Sequence, residues 1–146
     1  MKIIESQKEQ YILDYFKNCE WGAAKFLYSL IDEDKLYKTL GENTKVVVLL
    51  DGEKVVSFAT YADIDCVDDK SLFPWIGFVY TDESYRGNRY SQQVINYILD
   101  LAKKDKYSSV FLATDHIGFY EKFGFVYKET RIDIYNEESR IYEFKL

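Results

Sequence analysis

Apolar residues recur at helical spacing in the first 40 residues of the chain. The tetrapeptide Ser6–Glu9 has the form of a capping box, with a hydroxyl at the N-cap and a carboxylate three residues later. Apolar residues follow it at helical spacing, which predicts a helix over about residues 7–18. A second periodicity starts at Trp21 and fades near Leu40, so we predict a second helix there.

From residue 45 the pattern changes to short apolar runs typical of strands. Lys45–Leu50 and Lys54–Tyr61 are rich in Val and flank Asp51-Gly52, a dipeptide favoured in hairpin turns. Trp75–Thr81 is apolar throughout, which predicts a third strand buried on both faces. The acidic stretch 63–69 is predicted to be a loop between them.

The second half of the chain alternates between helical and strand patterns. Because a helix lies between two predicted strands, those strands are expected to pair in parallel. The pattern therefore predicts an α/β (α+β) fold with a mixed sheet in a single domain spanning residues 1–146. The predicted elements are a helix over 91–104, a strand over Ser109–Thr114, a short helix over Ile117–Phe123 ending at Gly124, and strands over about 125–135 and 140–146, joined by residues 136–139.

Charge and cysteine content exclude several classes of protein. The formal net charge is −6 and no Lys/Arg cluster is present, so a nucleic-acid partner is not expected. No apolar run approaches the length of a membrane span, and the N-terminus lacks a signal-peptide core. Cys19 and Cys66 are too few and too isolated for a disulfide framework or a zinc site. We therefore expect a cytoplasmic protein with free thiols, no membrane partner and no metal.

The most informative segment is the third strand with the polar turn and helix that follow it. A strand that runs through a glycine turn into a helix presents unpaired backbone N–H groups, and with the helix dipole these can bind phosphate oxygens. The turn alone is a weak signal because many helices begin after a glycine. A nucleotide-binding domain is a low-ranking alternative, since the chain lacks a Walker lysine pattern and a G-x-G-x-x-G run.

Two motifs together resemble those of the GNAT superfamily of acyl-CoA-dependent N-acyltransferases. Tyr85–Ser91 (YRGNRYS) resembles the R-G-x-G-x-G/A loop for the pyrophosphate of acyl-CoA, and Phe119–Phe125 (FYEKFGF) resembles the F/L-Y-E-K-x-G-F segment. Their order and separation match the family. The resemblance is specific over about residues 45–127. It implies a GNAT-like fold with two N-terminal helices and transfer of an acetyl group from acetyl-CoA to a primary amine by direct attack.

The resemblance also implies roles for individual residues. Tyr120 corresponds to the tyrosine that acts as general acid at the thioester sulfur. Arg89 stands where the family usually has glycine, and the strand end lacks the usual asparagine, so Asp115 or Thr114 is a candidate substitute. The sole histidine, His116, is expected to be a capping or surface residue. The implied cofactor contacts are backbone groups of Val79 and Thr81 to the pantetheine arm, and backbone amides of Arg86, Gly87, Asn88, Arg89, Tyr90 and Ser91 to the pyrophosphate.

The acceptor and its base are less well defined by the sequence. Asp63 and Asp65 alternate near the end of a predicted strand, so both carboxylates could point to one face, attract a protonated amine and accept its proton. The alternative is that this loop is a solvated connection. The acceptor is expected to be a small-molecule or peptide amine, and the protein a monomer or a homodimer. The rival function is a non-catalytic acyl-CoA-binding module that acts as a sensor or a partner-binding protein.

Overall fold

The structure, a computed structural model that describes residues 1–146, is built on one seven-stranded sheet with helices on both faces. None of the helices combines the length and apolar character needed to cross a bilayer. The strands are β1 (Lys2–Glu5), β2 (Lys45–Asp51), β3 (Lys54–Ala62), β4 (Trp75–Thr81), β5 (Ser109–Thr114), β6 (Val126–Ile132) and β7 (Glu138–Lys145); the helices are α1 (Gln10–Asn18), α2 (Gly22–Asp32), α3 (Leu36–Leu40) and α4 (Tyr90–Lys104), with 3₁₀ turns at Glu83–Tyr85 and Tyr120–Phe123.

The strand order across the sheet is β1-β2-β3-β4-β5-β7-β6. Every neighbouring pair is antiparallel except β4 and β5, which are parallel and joined through α4. The predicted mixed α/β fold and the predicted parallel pair are therefore confirmed. The last strand, β7, lies between β5 and β6.

Both faces of the central strands are buried, which explains their continuous apolar sequence. In β2, Val47 and Leu49 pack toward α4, whereas Val46, Val48 and Leu50 pack toward α1 and α2. A third, smaller cluster lies under the loop that precedes β4 and includes Trp75. The alternation of side chains along each strand thus supplies two cores, one on each side of the sheet.

The strands β4 and β5 pair at only two positions and then separate. Trp75 pairs with Phe111 and Ile76 with Leu112, and no later residue of β4 pairs with β5. A bulge follows at once: Phe78 adopts a φ of 52°, and the register against β3 shifts there. The prediction that Trp75–Thr81 is buried on both faces is therefore wrong after Ile76, because the neighbouring strand has moved away.

The N-terminal region contains two departures from the predicted pattern. Strand β1 was not predicted, because four residues show no clear alternation, yet it pairs with β2 along its whole length. The predicted capping box does not form. The Ser6 hydroxyl donates to the Glu9 carboxylate and accepts from the backbone N–H of Lys8 (3.2 Å), not from that of Glu9, and α1 begins only at Gln10 with Glu9 as its N-cap. The second predicted helix is interrupted at Asp34, which adopts a left-handed φ of 55° and separates α2 from α3.

The C-terminal third also departs from the predicted element bounds. The predicted helix Ile117–Phe123 is only a 3₁₀ turn over Tyr120–Phe123. The turn before β7 lies at residues 133–137, because the Asp133 carboxylate accepts hydrogen bonds from the backbone N–H groups of Tyr135 and Glu137. The hydrogen bonds of a single aspartate carboxylate therefore place the turn a few residues earlier in the chain than predicted.

Gly124 is expected to be less replaceable than a turn glycine with free space around it. It has a φ of 94°, and a Cβ there would lie 2.9 Å from the ring of Phe144. Gly52 is a matched control, since its φ is 62° and nothing lies within 4 Å of its Cβ position. Both alanine variants suffer the left-handed penalty of about 1–2 kcal/mol, and Gly124→Ala should lose about 1 kcal/mol more from the clash. Equal free energies of unfolding in urea would show that Phe144 moves aside freely.

Candidate active site

The gap between β4 and β5 opens into a cavity of about 620 Å³. Its walls are the end of β4 (residues 79–81), the loop and first turn of α4 (residues 85–92) and the segment 116–123. The two motifs identified in the sequence therefore lie on opposite sides of one cavity. Thr81, Tyr90 and Ser91 belong to its lining.

The cavity is cationic although the chain as a whole is acidic. The chain has 25 Asp and Glu against 19 Lys and Arg, yet no carboxylate lines this cavity. Three cationic side chains do, those of Arg86, Arg89 and Lys122. This local reversal of charge favours an anionic ligand, because opposite charges in a concave site reinforce one another.

The loop before α4 presents bare backbone to the cavity. Gly87 has a φ of 88°, and its Cβ position has no atom within 4 Å. The N–H groups of Gly87, Asn88 and Arg89 donate to no acceptor in the protein. The first turn of α4 adds the unpaired N–H groups and partial positive charge of a helix N-terminus. Together these groups form a site suited to phosphate oxygens.

Side chains of the same loop hold it in place. The Asn88 amide donates to the carbonyl oxygens of Tyr85 (3.1 Å) and Arg86 (3.4 Å), so this side chain closes the turn and does not line the cavity. The Arg86 Nε donates to the carbonyl oxygen of Thr81 (3.0 Å), and its guanidinium lies 5.4 Å from the ring of Tyr80. Tyr80 in turn stacks on Trp21 at 5.0 Å. The loop is thus braced against both β4 and the start of α2.

Arg89 adopts a backbone conformation that glycine usually supplies. It precedes α4 with a φ of 59° and a ψ of 31°, in the left-handed region, and its side chain makes no capping hydrogen bond. A non-glycine residue in this region costs about 1–2 kcal/mol. Arg89 therefore holds a backbone conformation that glycine favours, and its side chain adds a cation at the cavity wall.

Tyr120 lies across the cavity from the loop and is 6% exposed. Its ring packs edge-to-face against Phe119 (4.9 Å between centroids), Phe123 (6.2 Å) and Phe125 (6.2 Å), which fixes its position. Burial, and to a smaller degree the charge of Asp115, raises the pKa of Tyr120 to about 12. The phenol consequently stays protonated at neutral pH and can donate a hydrogen bond into the cavity.

The residues that follow β5 contribute less than expected to the cavity. Asp115 is exposed and does not line it, so its carboxylate acts on Tyr120 only through its charge. His116 is exposed at the cavity wall, 6.2 Å from the ring of Phe119, and its backbone N–H donates to the Thr114 hydroxyl. The structure gives His116 no side-chain hydrogen-bond partner that could orient it as a base.

The two predicted acceptor carboxylates are not brought together. Both follow the end of β3 at Ala62, so strand alternation no longer controls where they point. Asp63 accepts hydrogen bonds from the backbone N–H of Asn43 (3.1 Å) and from its side-chain amide, and it lines another cavity, of about 720 Å³. Asp65 instead lies against Gly77 of β4. The expected carboxylate pair therefore does not form.

Three features of the site were not predicted from the sequence. Lys122 was assigned only to a motif, although its side chain lines the cavity. The bulge at Phe78 and the close approach of Asp65 and Thr60 to Gly77 were missed as well. A glycine inside an otherwise apolar strand was the available signal, since it often marks a bulge or a close approach. No group of three or more His, Cys, Asp or Glu side chains is arranged to hold a metal ion.

Comparison with known families agrees with this geometry. The profile of the Acetyltransferase (GNAT) family matches residues 6–125. The fold, with its parted strands and a glycine turn before α4, is that of an acyl-CoA-dependent N-acyltransferase. The chain belongs to the GNAT acetyltransferase family. No curated protein sequence matches it significantly.

Solved structures share the fold at low sequence identity. An acetyltransferase from Streptococcus agalactiae is 22% identical with a TM-score of 0.71, over 99% of this chain and 98% of that one. An aminoglycoside 6'-N-acetyltransferase complexed with coenzyme A is 12% identical with a TM-score of 0.71, over 99% and 97%. A Bacillus anthracis protein described as a streptothricin acetyltransferase, in complex with acetyl coenzyme A, is 18% identical with a TM-score of 0.59, over 71% of this chain and 63% of that one.

Replacing Arg89 should separate its backbone conformation from its charge. Asn tolerates the left-handed region and is a good N-cap, so Arg89→Asn should keep or raise the melting temperature. Arg89→Asn removes one cation from the cavity and should weaken CoA binding about tenfold. Arg89→Lys keeps the charge and should lose less CoA affinity. Isothermal titration with CoA at low and high salt measures both effects. Wild-type affinity in the Asn variant would show that Arg89 points only into solvent.

Proposed function

We propose that the protein transfers an acetyl group from acetyl-CoA to a primary amine, with both substrates bound at once. The observation that carries this proposal is the cavity between β4 and β5. It has no carboxylate in its lining, three cations, free backbone N–H groups on one wall and a protonated phenol on the other. The family match and the CoA-bound relatives of the same fold support a CoA donor.

The separated strand β4 offers the pantetheine arm a place to bind. Beyond Ile76 its β5-facing edge has no partner strand, and an extended chain with amide groups can pair with such an edge as an added strand. Val79 and Thr81 line the cavity on this edge. With the pyrophosphate on the loop 86–91, this arrangement would bring the thioester toward the bulge at Phe78.

The chemistry then follows in one displacement. The neutral amine nitrogen attacks the thioester carbonyl carbon, the C–N bond forms, and the C–S bond breaks. A backbone N–H near Val79 would stabilise the oxyanion. One proton leaves the ammonium form of the substrate before attack, and a second leaves the nitrogen afterwards. CoA departs as a thiolate that takes up one proton, so one proton is released overall.

Tyr120 would act chiefly by hydrogen bonding to the departing sulfur. Its pKa of about 12 lies above the value near 8.5 of an ordinary thiol, so complete proton transfer to the thiolate is not downhill. A positioned donor still lowers the barrier, because negative charge grows on sulfur in the transition state. The thiolate can take its proton from Tyr120 transiently or from water after release.

The rival function is a non-catalytic module that binds acyl-CoA as a sensor or a partner-binding protein. Arg89 in the loop and the missing asparagine after β5 favour it to some degree. The burial of Tyr120 at the cavity, with its phenol kept protonated, favours catalysis. Aminoglycoside acetyltransferases among the relatives of the fold support a small-molecule amine as acceptor, and a peptide amine is the other candidate.

Release of free thiol tests the function directly. Acetyl-CoA is incubated with a panel of primary amines, aminoglycosides and peptide N-termini, and CoA thiol is measured against a sample without amine. We expect amine-dependent release for at least one class. Thermal stabilisation by CoA with no thiol release for any amine would favour the sensor function. No stabilisation by CoA would show that the protein has no CoA site.

Tyr120→Phe tests the role of the phenol. The variant keeps the edge-to-face packing but loses the donor, so kcat should fall at least about tenfold with little change in CoA affinity. Tyr127→Phe is the matched control, because Tyr127 is 42% exposed on β6 and does not line the cavity. Because the pKa of Tyr120 is about 12, no limb of the rate profile between pH 6 and 9 should arise from it. Full activity of Tyr120→Phe would show that Tyr120 only packs.

A further inference from the structure

A second group of polar atoms lies where β4 and β5 part. Gly77 is the first residue of β4 beyond the last pair with β5, and it pairs with Thr60 of β3. At the position where a Cβ of Gly77 would stand, the Oδ1 atom of Asp65 lies 2.5 Å away and the Oγ1 atom of Thr60 lies 3.1 Å away. Only glycine permits this approach, and it brings a carboxylate and a hydroxyl close together beside the bulge at Phe78.

The Thr60 hydroxyl lacks the hydrogen-bond partner that burial demands, and the Asp65 carboxylate lacks a cation. Thr60 is 1% exposed, and its hydroxyl has no hydrogen-bond partner, which ordinarily costs about 1–3 kcal/mol. Asp65 is only partly exposed; its carboxylate accepts from the backbone N–H and the thiol of Cys66, and none of the four ion pairs in the structure includes it. Burying a carboxylate without a cation beside an unpaired hydroxyl costs free energy of folding, unless a ligand supplies the missing partners.

We infer that Asp65 and Thr60 bind the protonated amino group of the acceptor at Gly77, which makes the substrate a cationic primary amine. The inference rests on the proposed acyltransferase function and specifies its acceptor. A primary ammonium group has three N–H donors and a positive charge. One N–H donates to the Asp65 carboxylate, and another donates to the Thr60 oxygen. The charge supplies the counter-ion that the protein does not.

The location of Gly77 also suits the acyl-transfer reaction. Gly77 lies at the closed end of the gap, one residue before the bulge, and Val79 beyond the bulge lines the donor cavity. An amine held there is next to the strand segment along which the thioester is placed. Asp65 lies on a loop, so its carboxylate can shift by the small distance that an entering ammonium group requires.

Asp65 can also take the first proton from the ammonium group. Burial raises the pKa of Asp65 to about 6, so the group is ionised at neutral pH yet readily protonated. The other titratable groups near it are Cys66 and Tyr135, with Asp133 beside both of these, and none of the three is a cation. Proton transfer from nitrogen to Asp65 leaves a neutral amine and a neutral acid, and the acid then loses its proton to solvent.

The same carboxylate destabilises the empty protein, which provides an independent measurement. A carboxyl group whose pKa is higher in the folded state than in the unfolded state favours folding as it protonates. The penalty is therefore present above about pH 6 and is relieved as the pH falls toward the unfolded value near 4. Asp65→Asn should raise the melting temperature at pH 8 and change it little at pH 4.

The kinetic test compares Asp65→Asn with Asp63→Asn, the same substitution two residues away. With the best amine from the thiol-release panel, Asp65→Asn should raise the KM for the amine about tenfold or more and leave that for acetyl-CoA unchanged. Asp63→Asn should stay within about twofold of wild type, because its carboxylate bonds to Asn43 instead. In wild type, kcat/KM for the amine should fall below about pH 6, and Asp65→Asn should lose that limb.

Thr60 is tested as a direct contact of the ammonium group. Thr60→Val keeps the side-chain shape without the hydroxyl and should raise the KM for the amine about fivefold, and Thr60→Ser should restore it. A wild-type KM for the amine in Asp65→Asn, or persistence of its acid limb, would overturn the inference and leave the acyltransferase intact.

A binding measurement covers the case in which no amine supports turnover. Cyclohexylamine, a cation at pH 7.5, should raise the melting temperature of wild type but not of Asp65→Asn, and uncharged aniline should raise neither. Equal shifts in wild type and Asp65→Asn would overturn the inference. Absence of thiol release together with a wild-type-specific shift would overturn the proposed catalysis and retain the cation site.

Discussion

The structure depends on one unpaired stretch of backbone. Once β4 leaves β5 after Ile76, the β5-facing N–H and C=O groups of β4 have no strand to pair with, which a folded protein tolerates only at a surface or a ligand site. Three features of the neighbouring elements surround this gap. The bulge at Phe78 turns the strand, the loop at Gly87 opens the N-terminus of α4, and the aromatic packing of Tyr120 closes the other wall.

Charge is distributed to match this opening. The acidic side chains that give the chain its net charge of −6 are absent from the lining of the cavity between β4 and β5, whereas four carboxylates, those of Glu5, Glu42, Asp63 and Asp105, line the cavity of about 720 Å³. Such a separation lets one small protein attract a polyanionic cofactor locally while its remaining surface repels it. Asp65 belongs to neither cavity lining and contacts Gly77 instead.

The sequence was sufficient for the elements whose pattern and chemistry agree. Strands β2, β3 and β5 and helix α4 follow from apolar periodicity, and the turn before α4 follows from a glycine between a strand and a helix. Features decided by tertiary contacts were not predictable in this way. Strand β1 exists because β2 offers an edge, the turn at Asp133 depends on one carboxylate, and the separation of Asp63 from Asp65 depends on where a loop folds back.

The placement of β7 between β5 and β6 has a consequence for biosynthesis. Strand β6 pairs only with β7, and the sole partner of β5 other than β4 is β7. This end of the sheet therefore cannot form until residues 138–145 have been synthesised. The wall that carries Tyr120 lies between these strands in the chain and packs into the same core as Tyr142 of β7. On the ribosome, the N-terminal part of the sheet can form early, but the cavity between β4 and β5 is completed only after β7 emerges. Until then β5 is an exposed strand edge that can aggregate or bind chaperones.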